Sequence, residues 1–202
     1  TSAFVMYQGA VIVNKEGLRF ADESRPYKEL GEIVMTQPDG IGYQVYDAAI
    51  HEEAQKDPLA KTDRLKEAGE LHSADTLEAL AEKIGVPPKA LVETVAAYNR
   101  GIASGADAFG RTSLSAGGGK PSPIERPPFY AFAATACLLS TYCGPKIDAR
   151  ARVRTVFDEP IPGLFAAGEA TGGTHGAVRL GTCSITECIV HGRIAGQRAA
   201  KA

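Results

Sequence analysis

The sequence predicts an α+β fold built from two parts, residues 1–126 and residues 127–202. Two observations predict this division. The first part mixes a β-rich hairpin pattern and one alternating strand with several amphipathic helices. The second part reads strand, strand, glycine-rich loop and helix, which is the element order of an α/β unit. A stretch rich in Gly, Ser and Pro over residues 101–125 predicts the loop that connects the two parts.

The first part begins with a predicted hairpin over residues 7–20, with turn residues at Asn14–Gly17. Further along, Thr76 offers an N-cap for a helix that Gly85 ends, and Pro88 opens the next helix. The other elements predicted in this part are a helix near 27–34, a strand at 41–47 and a helix at 47–56.

The second part opens at Pro127 with a strand-rich segment. Residues 163–167 are apolar or small throughout, which predicts a buried strand. Residues 184–201 carry apolar side chains at helical spacing, Ile185 and Ile189 among them, and predict a helix.

Composition excludes several classes of protein. The net charge of −2 gives no strong field for nucleic acid or an anionic membrane. No apolar run approaches the ~20 residues of a membrane span, and no signal peptide pattern is present, so a cytoplasmic protein is predicted. The chain starts without Met, which fits either Met removal or a fragment of a longer chain.

The four cysteines and the histidines suggest no metal site. The cysteine spacings fit neither a zinc site nor a redox pair, so buried free thiols are expected. His51 and His72 lie among polar residues and are expected to be solvated, and His191 is expected to be a packed or exposed helix residue.

The stretch from Gly163 to Gly181 is the clearest candidate site. Its glycines allow a backbone to approach a ligand closely, and a helix N-terminus follows, with Thr182 and Ser184 as capping residues. Together they suit an anionic or electron-rich group. A carboxylate, Glu169, follows the strand, where ribose hydroxyls are commonly bound. The same loop adds a guanidinium and an imidazole, from Arg179 and His175.

These residues carry a family resemblance. The segment PIPGLFAAGEATGGTHGAVRLG (160–181) resembles the C-terminal FAD-binding signature of the fumarate reductase/succinate dehydrogenase flavoprotein superfamily. It is closest to the soluble branch with flavocytochrome c fumarate reductase, urocanate reductase and 3-ketosteroid dehydrogenases. The segments VIVNKEGLRFADES (11–24) and RPPFYAFAAT (126–135) resemble that family too, so the resemblance covers nearly the whole chain.

The resemblance implies a capping domain over 1–126 and the C-terminal segment of an FAD-binding domain over 127–202. It implies hydride exchange between flavin and an activated C–C bond of a small-molecule substrate. Arg179 matches an arginine that clamps a substrate carboxylate, with His175 beside it. The FAD contacts implied are Gly168, Glu169, Gly181, Thr182, Ser184 and Ile185.

The sequence departs from the family pattern in three places. No GxGxxG unit is present, so the N-terminal half of the FAD-binding domain is expected as part of a longer chain or as a separate subunit. Tyr27 stands where fumarate reductases have an arginine that acts as an acid, and Arg25 lies two residues away. A tyrosine at this position resembles the ketosteroid dehydrogenases instead. Leu139 and Ser140 stand where a His pair is expected.

These departures leave alternatives open. The isolated chain is expected to bind FAD weakly and to be inactive. A non-catalytic assembly module that kept the fold would expose an apolar patch and form oligomers. A nucleotide-binding protein without redox chemistry would explain the glycines but not the resemblance in the first part.

Overall fold

A computed structural model describes residues 4–115, 118–137, 140–141, 143–176 and 183–201. The chain divides into two compact units, residues 1–137 and residues 138–202. Within the described ranges, every helix is too short or too polar to span a lipid bilayer.

The first unit contains a four-stranded sheet and five helices within its described residues. The sheet order is β1, β2, β4, β3, and all neighbouring strands are antiparallel, with Val11 opposite Val45 and Val45 opposite Ala131. The elements in chain order are β1 (Val11–Val13), α1 (Tyr27–Met35), β2 (Gly42–Tyr46), α2 (Ala48–Ala54), α3 (Asp63–Glu67), β3 (His72–Ala74), α4 (Leu77–Ile84), α5 (Pro88–Ser104) and β4 (Phe129–Ala134).

Strand β1 is buried on both faces. Successive side chains of a strand point to opposite sides. Val11 and Val13 therefore join the larger apolar cluster, which the sheet shares with α2, α4 and α5. Ile12 points the other way, into a smaller cluster with Leu30 of α1. Helix α1, which begins at Tyr27, therefore packs against the face of β1 that carries Ile12.

The two predicted helices α4 and α5 form for the expected local reasons. Thr76 caps α4, since its Oγ1 accepts the backbone N–H of Ala79 at 3.2 Å. Gly85 ends that helix in the left-handed conformation, with φ of 72°. Pro88 is the first residue of α5, and Gly105 ends it with φ of 70°.

The last residues of the long loop after α5 are held by hydrogen bonds. Asn99 makes two hydrogen bonds with the backbone of Ile124, at 2.9 and 2.8 Å. The carboxylate of Asp47 accepts the N–H groups of Glu125 and Arg126. These bonds satisfy polar groups of the loop next to a buried side chain, that of Ile124.

The second unit has a smaller framework. Its elements are β5 (Arg152–Arg154), β6 (Pro160–Phe165) and α6 (Cys183–Ala199), and β5 pairs antiparallel with β6. Helix α6 packs against β6 and against the turn 168–170. Its described residues contribute nothing to the two apolar clusters, and its buried residues are Ala151, Val153, Gly168, Thr171 and Glu187.

Several expectations need correction. Strand β6 is not buried: its side chains are exposed or half-buried, although β5 pairs with it and α6 packs against it. All four cysteines are exposed free thiols, not buried ones. The boundary at 126/127 stays a prediction, and strand β4, which follows it, pairs with β2 and β3. The return strand of the predicted hairpin is reduced to one bridge, between Val13 and Arg19.

Candidate functional site

The first group of candidate residues lies at the start of α1. Tyr27 is the first residue of this helix and follows Pro26, which has extended backbone. Its side chain is 37% exposed, and its ring centroid lies 5.4 Å from that of Phe4. Arg25 is exposed two residues earlier. Both predicted proton-transfer residues therefore share one surface, and the phenol of Tyr27 is reachable from solvent.

Tyr7 belongs to the same group and was not predicted. Its hydroxyl donates to the backbone carbonyl of Arg25 at 3.0 Å, and its ring stacks on Phe4 at 6.0 Å. Burial raises the pKa of Tyr7, although the N–H of Tyr27 opposes the shift, and the charges of Tyr27 and Glu29 add to it. Tyr7 and Tyr27 are 20 positions apart in the sequence, and the fold brings them together.

Arg25 is only weakly held. Its Nη1 lies 3.8 Å from Oε2 of Glu29, and both side chains are about half exposed, at 53% and 54%. A pair with this geometry and exposure contributes little to stability. The guanidinium of Arg25 is therefore free to reorient toward a bound anion at a small cost.

Arg19 and Glu23, the first and last residues of the sequence RFADE (19–23), belong to a buried ionic cluster. Arg19 donates to both oxygens of Glu23, at 2.8 and 2.7 Å, and the N–H of Ile12 donates to Glu23 at 3.0 Å. Arg111 donates to Glu23 at 3.2 Å and to the carbonyls of Met6 and Ala10 at 2.6 and 3.0 Å. The side chains of Glu23 and Arg111 are fully buried. This cluster fixes the chain on both sides of β1.

Asp107 completes the charge balance of that cluster. It forms an ion pair with Arg19, and it accepts the N–H groups of Phe109 and Arg111 at 3.0 Å each. Burial raises the pKa of Asp107, but the hydrogen bonds from Arg19 and the backbone outweigh it and hold that pKa below its ordinary value. The guanidinium of Arg19 also lies over the rings of Tyr98 and Phe109, at 5.0 and 5.1 Å. The four charged groups are therefore structural.

The second group of candidate residues lies in the second unit, after β6. Gly168 adopts φ of 74° and is buried, and a Cβ there would lie 3.1 Å from Sγ of Cys188 on α6. Glu169 is exposed, and its Oε1 accepts the N–H of Thr141 at 3.1 Å. The left-handed glycine lets the turn pass close to α6 while Glu169 points outward.

A cavity of about 600 Å³ lies beside this turn, within the second unit. Gly172, Gly173 and Thr174 of the glycine-rich loop line one side, and the segment 143–149 lines another. His191 of α6 completes the lining, with its Nδ1 3.0 Å from Oε1 of Glu187. His191 is half-buried, and the buried carboxylate of Glu187 orients its ring.

The structure describes some of the remaining predicted residues and not others. Ser184 is the second residue of α6, so it lies inside the helix rather than before it. Ile185 follows it and is 67% exposed. His175 is half-buried in the glycine-rich loop. The predicted residues Arg179, Gly181 and Thr182 lie outside the described residues.

The residues of the second unit fit one side of FAD. Glycine backbone lines the cavity, and backbone N–H groups suit the phosphates and the flavin carbonyls. The exposed carboxylate of Glu169 suits sugar or ribityl hydroxyls. The start of α6 supplies N–H groups and a partial positive charge for the electron-rich end of reduced flavin. Within the described residues, no group of three or more His, Cys, Asp or Glu could hold a metal ion.

Comparisons with known proteins agree with this chemistry. The chain is 37% identical over 194 residues to the fumarate reductase (cytochrome) of Shewanella frigidimarina. That match covers 96% of this chain and 32% of the relative, and the chain spans between about a fifth and about a third of the length of the curated relatives it matches most strongly.

Two solved structures are similar over the full length of this chain. The open conformation of a flavocytochrome c3 fumarate reductase superposes with a TM-score of 0.82 at 36% identity, and 34% of that chain is covered. A 3-ketosteroid delta1-dehydrogenase from Sterolibacterium denitrificans, in complex with 1,4-androstadiene-3,17-dione, gives a TM-score of 0.76 at 26% identity, with 41% covered.

The family model described as FAD binding domain matches residues 3–185, which is most of the chain. This match confirms the family predicted from the glycine-rich segment, and FAD is the cofactor of that family. The chain therefore belongs to the FAD binding domain family, as part of a flavoprotein of the fumarate reductase and ketosteroid dehydrogenase type.

Proposed function

We propose that this chain is one part of an FAD-dependent oxidoreductase that exchanges a hydride between flavin and an activated C–C bond of a small molecule. The first unit acts as the capping, substrate-side domain, and the second unit is the C-terminal segment of the FAD-binding domain. The observation that carries the proposal is an exposed phenol, Tyr27, fixed at a helix start in a chain of this family.

In this proposal, FAD supplies the donor or acceptor of the hydride when it is bound. The chain's own residues handle the proton and the orientation of the substrate. Tyr27 gives or takes the proton at the carbon next to the one that exchanges hydride, and Arg25 is the alternative group. Tyr7 is a positioning residue, because it fixes the backbone of Arg25 through its hydroxyl.

In this proposal, the glycine-rich loop also binds the substrate. Arg179 binds a carboxylate or a carbonyl oxygen of the substrate, and His175 assists it. On the cofactor side, Gly168, Glu169, Ser184 and Ile185 contact FAD, together with Gly181 and Thr182. Glu169 binds through hydroxyl groups, which its outward position supports.

A chimaera tests the proposal. In it, this chain replaces the matched region of the Shewanella frigidimarina fumarate reductase, and flavin content and turnover are measured with fumarate and with a 3-ketosteroid. We expect stoichiometric flavin, and we expect Tyr27→Phe to lower turnover by ~10²–10⁴-fold with flavin retained. Tyr43→Phe, at a half-buried tyrosine of β2, is the matched control and leaves turnover unchanged.

Two outcomes contradict parts of the proposal. Full turnover in the Tyr27→Phe chimaera excludes Tyr27 as the acid–base group and leaves Arg25→Ala to be tested in the same way. A folded chimaera without flavin favours a non-catalytic assembly module, which the Leu139 and Ser140 departure also favours.

A further inference from the structure

Tyr27 begins helix α1 at a position where its own side chain is weakly constrained. The residue before it, Pro26, has extended backbone and a side chain that cannot cap the helix. The side chain of Tyr27 is 37% exposed, so solvent leaves it more than one staggered conformation. A proton transfer requires the phenol within hydrogen-bond reach of the proton that it gives or takes. Efficient transfer therefore needs a contact that selects one conformation of this side chain.

The ring of Phe4 supplies such a contact. Its centroid lies 5.4 Å from that of Tyr27, and the two ring planes are tilted by 48°. Aromatic pairs prefer a tilted or offset arrangement at this separation. Phe4 also stacks on Tyr7, with the centroids 6.0 Å apart and 20° between the planes. One ring thus contacts both the proposed acid–base group and the residue that fixes the backbone of Arg25.

Phe4 belongs to a segment that the core of the first unit holds in place. Its backbone N–H donates to the carbonyl of Leu59 at 3.0 Å. Met6, two residues later, is buried, and its carbonyl accepts a hydrogen bond from Arg111 at 2.6 Å. The N–H of Met6 donates to a glutamine side chain of β2 at 2.9 Å. The backbone next to Phe4 is therefore fixed, and its ring offers a firm surface to the more exposed ring of Tyr27.

We propose that Phe4 is a positioning residue, whose ring holds the phenol of Tyr27 in the conformation that transfers the proton. The inference rests on the proposed function for the role of Tyr27. An aromatic contact of this kind shifts the population of a side-chain conformation by about two- to tenfold. Because Phe4 acts through Tyr27 and not on the substrate, its loss lowers the rate of the proton step and leaves substrate binding unchanged.

Fluorescence of the isolated chain tests the ring contact without catalysis. The sequence has no tryptophan, so Tyr27→Trp places a single indole at this position, and acrylamide quenching and anisotropy report how freely it moves. In that background we expect Phe4→Leu to raise the quenching constant about twofold and to lower the anisotropy. Phe20→Leu is the matched control and should change neither, because Phe20 packs against the same small apolar cluster but beside Gly42 of β2.

Kinetics of the flavin-loaded chimaera test the consequence for turnover. We expect Phe4→Leu to lower kcat about three- to tenfold at unchanged KM and flavin content, and Phe4→Tyr, which keeps the ring, to stay within about twofold of the parent. In the Tyr27→Phe background, Phe4→Leu should have no further effect, because the phenol through which it acts is absent. A purely structural role would instead lower the turnover of both backgrounds by the same factor.

The outcomes separate this inference from the proposed function. Unchanged quenching and anisotropy in Phe4→Leu overturn the ring contact, whatever the chimaera does. Equal loss of turnover in both backgrounds overturns the positioning role and leaves Tyr27 as the acid–base group. Full turnover in the Tyr27→Phe chimaera contradicts the proposed function, and it overturns the positioning role as well, since the phenol then does no chemistry.

Discussion

The substitution Glu23→Gln tests whether the buried ionic cluster holds the first unit together. Glu23 accepts four donors: the N–H of Ile12, two from Arg19 and one from Arg111. A glutamine has one acceptor oxygen, and its amide NH₂ would face the guanidinium donors. The substitution also leaves a fully buried guanidinium, that of Arg111, without its carboxylate.

The expected cost follows from this geometry. Removing one partner of a buried ion pair costs ~3–5 kcal/mol, because the remaining charge is left uncompensated. Stabilities of whole domains are ~5–15 kcal/mol, so the loss is a large share of the total. With a urea dependence of ~2 kcal/mol per M, the unfolding midpoint should fall by about 1.5–2.5 M.

Urea unfolding of the full chain, followed by far-ultraviolet circular dichroism, measures this shift. Glu82→Gln makes the same chemical change at an exposed position of α4 and should leave the midpoint nearly unchanged. The double variant Glu23→Leu/Arg111→Met should be less destabilised than the sum of its single variants, by about 1 kcal/mol or more. Equal midpoints for Glu23→Gln and Glu82→Gln would refute the reasoning.

Three further predictions concern titration and packing. Burial lowers the pKa of His51, so the unfolded chain takes up the proton first as pH falls. Stability should therefore be lost below about pH 6.5, and His51→Phe should reduce that loss in thermal midpoints measured against pH. Although burial raises it, the pKa of Asp148 is lowered to about 2 by hydrogen bonds from Arg152 and the backbone. Its contribution should be present above about pH 4 and lost as pH falls through about 2, and Asp148→Asn should flatten this acid limb in unfolding monitored by circular dichroism. Gly168→Ala should cost ~1–2 kcal/mol for the left-handed backbone and also displace Cys188, which lowers the hydrogen-exchange protection of α6.

Each of these has an outcome that contradicts it. An unchanged pH profile for His51→Phe would show that burial of this ring does not favour its neutral form. If Asp148→Asn leaves the loss of stability at low pH unchanged, the Asp148 carboxylate does not cause that loss. Gly173→Ala is the matched control for Gly168→Ala, since its φ is 88° but a Cβ there meets nothing within 4 Å. Equal loss of α6 protection in both variants would exclude the Cys188 contact.

Local chemistry made much of the fold predictable. The cap at Thr76 and the glycine at Gly85 bound α4 where expected, because both act within a few residues. The alternation over residues 41–47 correctly predicted β2. In contrast, β3 and α3 were not predicted. Strand β3 has three residues and no pattern of its own, and it exists because it pairs with β4.

Long-range contacts explain the rest. Arg111 falls in a stretch that reads as a loop, yet it donates to a carbonyl 105 residues away. Tyr7 reaches the helix start at Arg25 only through the tertiary fold. His51 was expected to be solvated, but it is half-buried and its ring stacks on that of Tyr130 at 4.2 Å. The prediction that β6 is buried failed because an apolar composition does not show that other residues pack on the faces of the strand.

The two-sided burial of β1 sets where this chain tolerates a change of length. One residue inserted into β1 would turn Ile12 toward the wrong cluster and shift its N–H away from Glu23. An insertion beside Lys120 would lengthen an exposed loop by a step that costs little closure entropy. Purification tags and spectroscopic labels therefore belong at Lys120, and family members that differ in length should differ there before they differ in β1.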